Sequence, residues 1–369
     1  MAAPLLLLAA AAGTATAQLP PSPPTGPPVP PSSRDPDWAG PFAAADLLYS
    51  PGPRLDFEAL LPIENCTNMQ SDCPVGPSGS CNCTALWWPG LGNGFLGGIA
   101  QGPTLRIAGY HSGAYGRYSA GHTVPPVPDP KSGFSNKEFS FRASIPAFAS
   151  SIIVESPDMQ PDSSRAALNT REAVYFERSS VSGGELELRM YYHRTRRNLI
   201  VVELELDCTS CTKAAAVSLR AFSRPELSDV VFHEQQGAGA TDGGAAPRQL
   251  LGVLRAPENC EPSNAHLYDT NHTLGYVFDV CPSNLTAAPG EKSFVRLLSV
   301  LTVSTEESDA IAKEAVVPRA RKLYEDAKAV PPAQLLEEHR RGWAALWESG
   351  GIELATPDHA LQQTTNSSL

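Results

Sequence analysis

The sequence predicts a mainly β protein, an antiparallel sandwich followed by a helical linker, on three observations. Between about residues 93 and 304, short apolar segments are divided by Gly, Pro and Asp turns, the pattern of a large antiparallel sandwich. Beyond residue 305 the apolar spacing changes to the helical period. Between Trp87 and Gly98 stand five glycines in twelve residues. Such a stretch forces the backbone path, because glycine tolerates positive φ, and Asn93-Gly94 before an apolar run is a turn-then-strand signal.

The chain opens on a targeting segment. Leu5 to Ala12 is apolar throughout, and Ala15-Thr16-Ala17 is a small-x-small cleavage pattern before Gln18. Residues 1–17 read as a secretory signal peptide, although no Lys or Arg precedes the apolar run. Residues 18–54 are rich in proline with few large apolar side chains and read as a disordered or polyproline-II linker. Residues 55–86 form a Cys-rich loop region.

The sandwich is expected over 87–304. Its strands are predicted at 139–143, 151–155, 173–178, 185–192, 199–206, 215–222, 249–254, 275–280 and 294–303. Leu186, Leu188, Met190 and Tyr192 alternate with Glu185, Glu187, Arg189 and Tyr191, which implies one buried and one wet face. Leu199-Ile200-Val201-Val202 is apolar without alternation, as a strand covered on both sides would be. Residues 234–247, rich in Gly and Ala, read as a surface loop.

Residues 305–351 form the linker. Helices are expected over 306–328 and 332–348, with Ser304 and Thr305 as N-caps of the first. Leu335, Leu336, His339, Trp343, Leu346 and Trp347 share one stripe, and Gly350-Gly351 ends the second helix. At i, i+4 spacing, Trp343 and Trp347 read as core anchors rather than a ligand box. Residues 352–369 begin a further element and stop within it, so the chain reads as a fragment.

Composition narrows the function. The chain has 369 residues, 42% hydrophobic, and a net charge of −11 with scattered cations. Nucleic acid and anionic membranes are poor partners for it. No later stretch reaches the roughly 18 apolar residues of a membrane span. Delivery is expected to the exterior, a lysosome or a vacuole, and oligomeric state is open. Eight cysteines in an exported chain favour disulfides. Cys66, Cys73, Cys81 and Cys83 staple the Cys-rich loop, in a connectivity the sequence leaves open. Cys260 is expected to bridge to Cys281. Cys208 and Cys211 have CxxC spacing but no following helix and no second CxxC, so a local disulfide is expected over redox or zinc chemistry. Sequons at Asn65, Asn82, Asn271, Asn284 and Asn366 mark candidate glycosylated loops. Trp87, Trp88, Tyr110 and Tyr115 could stack on a sugar ring, and the alternative for the tryptophan turn is a buried β-corner. The histidines are scattered without metal-ligand spacing, so no metal or cofactor is expected. Glu337 and Glu338 read as a solvated helix face.

Several segments together resemble the N-terminal part of glycoside hydrolase family 65. The family includes acid trehalases, maltose and kojibiose phosphorylases, and glucosidases of glucosyl-galactosyl-hydroxylysine. Gly92-Asn93-Gly94-Phe95-Leu96-Gly97 resembles its Gly-Asn-Gly-aromatic-Leu-Gly turn, and Gly109-Tyr110-His111-Ser112-Gly113 its Gly-x-Tyr-x-Gly region. Residues 167–173 are similar to its Leu-Asp-x-Arg-x-Gly strand pair, with Glu172-Ala173 in place of the usual Gly turn. Residues 191–199 resemble its His-Arg-x-Arg-x-Asn-Leu segment, and His339, Trp343 and Trp347 match its linker helix. Residues 358–369 look like the entry to its first barrel helix. The resemblance covers about 87–369. It implies a β-supersandwich, the linker, and the truncated start of an (α/α)6 barrel. It implies an exported inverting α-glucosidase acting on an α-glucoside such as trehalose or a glucosyl-galactosyl unit on hydroxylysine. Scarce extracellular phosphate favours hydrolysis over phosphorolysis. The family's catalytic acid lies in the barrel, so no catalytic residue carries over, the fragment itself is expected to be inactive, and Asn93 and His193 are expected to be structural. The alternative is a non-catalytic carbohydrate-binding or structural module.

Overall fold

The computed structural model describes residues 47–51, 90–110, 117–119, 122–123, 142–159, 165–223, 225, 228–235, 246–254, 272–304 and 313–350, with backbone alone at 47–51, 117–119, 122–123, 165 and 313. In chain order the strands are β1 (Leu47–Pro51), β2 (Gly90–Gly92), β3 (Leu96–Ile99), β4 (Thr104–Ile107), β5 (Arg117–Ser119), β6 (His122–Thr123), β7 (Ile145–Pro146), β8 (Ile152–Glu155) and β9 (Arg165–Asn169). They continue as β10 (Val174–Val181), β11 (Gly184–Tyr192), β12 (Leu199–Asp207), β13 (Ala215–Ala221), β14 (Val230–Glu234), β15 (Arg248–Leu254), β16 (Thr273–Phe278), β17 (Asn284–Ala287) and β18 (Lys292–Val303). Two helices follow, α1 (Val316–Lys328) and α2 (Pro332–Ser349).

The strands make a nine-stranded sheet, β1-β9-β10-β11-β12-β18-β16-β15-β14, and smaller sheets β17-β13-β8, β2-β3-β4-β7 and β5-β6. The fold is the expected antiparallel sandwich. The inner face of the large sheet carries Leu186, Leu188, Met190, Ile200, Val202, Leu204 and Leu297, packed with Leu105, Ile145, Val217 and Leu285 of the small sheets. Its outer face carries Tyr191, Leu199, Val201, Leu298 and Val300, packed with Ala320, Tyr324, Leu335 and Leu336 of the helices. β12 is therefore covered on both sides, as its unbroken apolar start predicts. The opposite face of β11 is not uniformly wet: Tyr191 is fully buried, because α2 crosses there.

Where the helices do not reach, the outer face bears alternating charge. Arg178 pairs with Glu187 at 2.8 Å, Glu187 with Arg189 at 2.7 Å, and Arg189 with Glu203 at 3.0 Å. Arg296 lies opposite Glu203 in register. It donates to the carbonyls of Val330 (2.6 Å) and Lys328 (3.0 Å) at the end of α1, where the helix dipole favours a cation.

Several boundaries differ from those expected. β9, β14, β17 and the short strands β2 to β4 carry too few alternating residues to register as separate strands. The strand expected at 139–143 is found at Ile145–Pro146, with residues 139–141 outside the described set. The first helix is entered through a 3-10 turn at Lys313–Ala315 and starts at Val316 with Ala315 at the N-cap and no side-chain cap. Ser304 instead accepts the Thr273 N–H (2.9 Å), and Thr305 lies outside the described residues. α2 ends as expected, with Gly350 N–H on the Trp347 carbonyl. Trp343 and Trp347 are half-buried, and Leu346 is 40% exposed; only Leu335, Leu336 and His339 of that stripe are buried. The stripe overruns the edge of the sandwich.

Two positions give opposite predictions. Ala173, in the β9–β10 turn, has φ +49°, left-handed backbone that costs a β-carbon. Ala173→Gly is expected to raise stability by about 0.5–1 kcal/mol, read as a higher urea midpoint, after allowing for glycine's unfolded-state entropy. At Gly275 on β16 an added Cβ would collide with the Val316 carbonyl. Gly275→Ala should push α1 off the sheet at a cost of about 1–3 kcal/mol, and an unchanged melting curve would contradict this close approach.

Candidate functional site: a junction between the sandwich and the linker helix

Four chain segments meet where α2 crosses the sandwich: the β2–β3 turn, the β9–β10 turn, the β11–β12 loop and α2 itself. Two asparagines fold the turns. Asn93, 3% exposed, accepts the N–H groups of Phe95 (2.9 Å) and Leu96 (2.8 Å) on Oδ1. Gly94, at φ +91°, lets the chain reverse there. Asn169 does the same for Arg171 (3.0 Å) and Glu172 (3.1 Å). The Asn93 amide also reaches across to another loop, donating Nδ2 to the carbonyls of His193 and Arg197, both at 2.9 Å. Arg194 returns the contact, Nη1 donating to the Asn93 carbonyl at 2.8 Å.

Two histidines tie the loop and turn to α2, and both are fully buried. His193 accepts the Arg196 N–H on Nδ1 (3.1 Å) and places Nε2 3.0 Å from the Leu335 carbonyl. His339 accepts the Arg194 N–H on Nδ1 (3.1 Å) and places Nε2 2.7 Å from the Glu172 carbonyl. A carbonyl only accepts and an N–H only donates. The network therefore assigns both rings the neutral Nε2–H tautomer. Burial pushes His193 down to about 4. Burial and then the neighbouring His193 push His339 to about 3. The ring centroids lie 5.7 Å apart, but every ring nitrogen is used by the backbone, so the pair is not a metal site. Among the described residues no cluster of His, Cys, Asp and Glu could hold a metal.

Ion pairs and ring contacts rim the junction. Arg196 pairs with Glu338 (2.9 Å) and Arg340 with Glu172 (3.0 Å). The Arg194 guanidinium lies 5.4 Å from the Trp343 ring centre, Arg197 lies 4.9 Å from that of Phe95, and Trp347 Nε1 donates to the Arg171 carbonyl (2.8 Å). Glu338 therefore does more than solvate its helix, whereas Glu337 pairs only along it, with Arg341.

The other sequence-selected residues lie elsewhere. Tyr110 is fully buried in the main core, which corrects its reading as a sugar-stacking surface: Ile107 and Ala143 hold its backbone inside the sandwich. Trp87, Trp88 and Tyr115 lie outside the described residues, as do Cys66, Cys73, Cys81, Cys83, Cys260, Asn65, Asn82, Asn271 and Asn366. Cys208 and Cys211 form a disulfide, with Cys208 fully buried. Cys281 carries a free thiol whose Sγ donates to the Pro282 carbonyl (3.4 Å); Cys260, its expected partner, lies outside the described residues. Asn284 is exposed, at the start of strand β17 rather than in a loop.

No family model and no curated protein matches the chain. Among solved structures it is similar to one described as "Putative kojibiose phosphorylase from human microbiome", with 10% sequence identity and a TM-score of 0.50. The match covers 75% of this chain and 38% of that one, so the chain spans well under half the length of that relative. At this identity the likeness shows fold alone. The fold class is an antiparallel β-sandwich, similar to part of that structure. No helix among the described residues is long and apolar enough to cross a membrane.

Asn93 tests the junction. Asn93→Ala removes two donated and two accepted hydrogen bonds and strands buried backbone groups at about 1–3 kcal/mol each. A loss of about 3 kcal/mol or more in denaturant unfolding is expected. A loss under about 1 kcal/mol would contradict the role given to Asn93.

Proposed function

We propose that this chain is the N-terminal scaffold of an exported, inverting α-glucosidase of the family 65 type, whose barrel carries the chemistry. The observation that carries the reading is the convergence of four segments that resemble family motifs. Residues 92–97, 167–173, 191–199 and 339–347 are far apart in sequence and bond to one another at one junction. A chance resemblance in separate segments has no reason to converge in this way. In this reading Asn93, His193 and His339 position the linker helix and touch no substrate.

The substrate in this proposal is an α-glucoside such as trehalose or a glucosyl-galactosyl unit on hydroxylysine. In an inverting mechanism one carboxylic acid protonates the glycosidic oxygen and a second carboxylate activates water on the opposite face. The signal-peptide pattern of residues 1–17 and the exposed sequon at Asn284 support export. Burial of Tyr110 removes one of the four aromatic residues on which a separate sugar-binding module would rest.

The purified 369-residue chain is expected to leave trehalose and glucosyl-galactosyl-hydroxylysine uncleaved. Messenger RNA continuing in frame past the Leu369 codon into a long helical pattern is the supporting result. Hydrolysis by the chain itself at enzymatic rates would overturn its assignment as a scaffold.

A further inference from the structure

We propose that His193 and His339 form an acid-sensitive latch that holds α2 on the sandwich at neutral pH and releases it in acid. In each ring the nitrogen that a second proton would take is already a hydrogen-bond acceptor for a backbone amide; at His193 the Thr195 hydroxyl also lies 3.4 Å from it, too long to replace that bond. Nδ1 of His193 already accepts the Arg196 N–H, and Nδ1 of His339 the Arg194 N–H. A proton on either nitrogen would set two N–H groups against each other and break the bond. It would also place a charge in a fully buried position, and the second ring lies 5.7 Å away, so two charges would repel. Release of α2 hydrates both rings and removes each of these costs.

The surrounding charges do not offset this. From the β11–β12 loop, Arg194 and Arg196 face the pair; from α2, Glu338 and Arg340; from the β9–β10 turn, Glu172; from β11, the neutral Tyr191, 4.6 Å from His339 between ring centres. Both acids are engaged by arginines, Glu338 by Arg196 and Glu172 by Arg340, so neither is free to pair with an imidazolium.

The direction follows from proton counting. Burial lowers both imidazoles when docked, His193 to about 4 and His339 to about 3. In the released state they return to about 6.5. Stabilisation of the docked state is complete above about pH 6.5 and is lost as pH falls toward the docked values. The released state binds up to two more protons, so the docking equilibrium falls by up to about a hundredfold per pH unit. Between pH 6.5 and 5 the ordinary carboxylates remain ionised, so this window isolates the histidines.

Amide hydrogen exchange of the full chain, corrected for intrinsic rates, tests the latch from pH 7 to 5. The opening constant of α2 is expected to rise by tenfold to a hundredfold per unit below pH 6.5, while β12 amides change little. A flat α2 profile would overturn the latch, and so would α2 and β12 rising together, the signature of global acid unfolding. The variant H339F keeps a ring against Tyr191 and loses one titrating group. It should reduce the slope to at most about tenfold per unit. An undiminished slope in H339F also overturns the proposal, and if that variant fails to fold, the wild-type profile still decides.

Discussion

Buried backbone polar groups need partners, and that constraint shapes the end of this sandwich. Two tight turns, one loop and the side of a helix come together there, all with amides and carbonyls turned away from water. Asn93, Asn169, His193 and His339 meet the demand. Each asparagine takes two N–H groups of its own turn. Each histidine joins an amide of the β11–β12 loop to a carbonyl of a different element. A neutral imidazole suits this task because it donates and accepts on opposite edges. Lysine and arginine would bring a charge and no acceptor.

The junction works because the large sheet is buried on both faces. β12 and β18 sit at its middle, with the sandwich core on one side and the helices on the other. Burial on two faces makes their register hard to shift, since a slip of one residue would exchange the two apolar sets. Toward the far ends of the strands the helices give way to the charges running from Arg178 to Glu203, with Arg296 opposite. The partly exposed Arg178–Glu187 and Glu187–Arg189 pairs are worth at most about 1 kcal/mol each, whereas Glu203 is buried and depends on Arg189 as its partner. Arg296 also terminates α1, so one side chain links the charged face to the helical layer.

Much of the fold was legible in sequence because it depends on local alternation. β10, β11, β12, β13, β15 and β18 lie within a few residues of their expected bounds. The dense run at Leu199 correctly announced a strand with two covers. Apart from β8, expected at 151–155 and found at Ile152–Glu155, the strands of two to five residues were not legible, since so short a segment shows little periodicity. Tyr191 and Tyr110 show the limit from the other side. Alternation reveals which residues share a face, but a distant helix decides whether that face is wet. The junction was legible only as separate motifs. Nothing in residues 191–199 states that His193 meets Leu335, because that contact depends on the hairpin register and on where α2 crosses it. The disulfide at Cys208 was local and therefore readable from the spacing of its two cysteines.

The central claim is that two uncharged histidines, each donating from Nε2 and accepting at Nδ1, hold the linker helix to the sandwich. Nitrogen-15 NMR of histidine-labelled protein at pH 7 measures ring tautomer and charge directly. The account predicts two rings, lost in H193F and H339F respectively, that are neutral Nε2–H tautomers in slow exchange with solvent. Finding either ring charged, or as the Nδ1–H tautomer, would contradict it, because the carbonyls of Leu335 and Glu172 and the amides of Arg196 and Arg194 could not then be satisfied together.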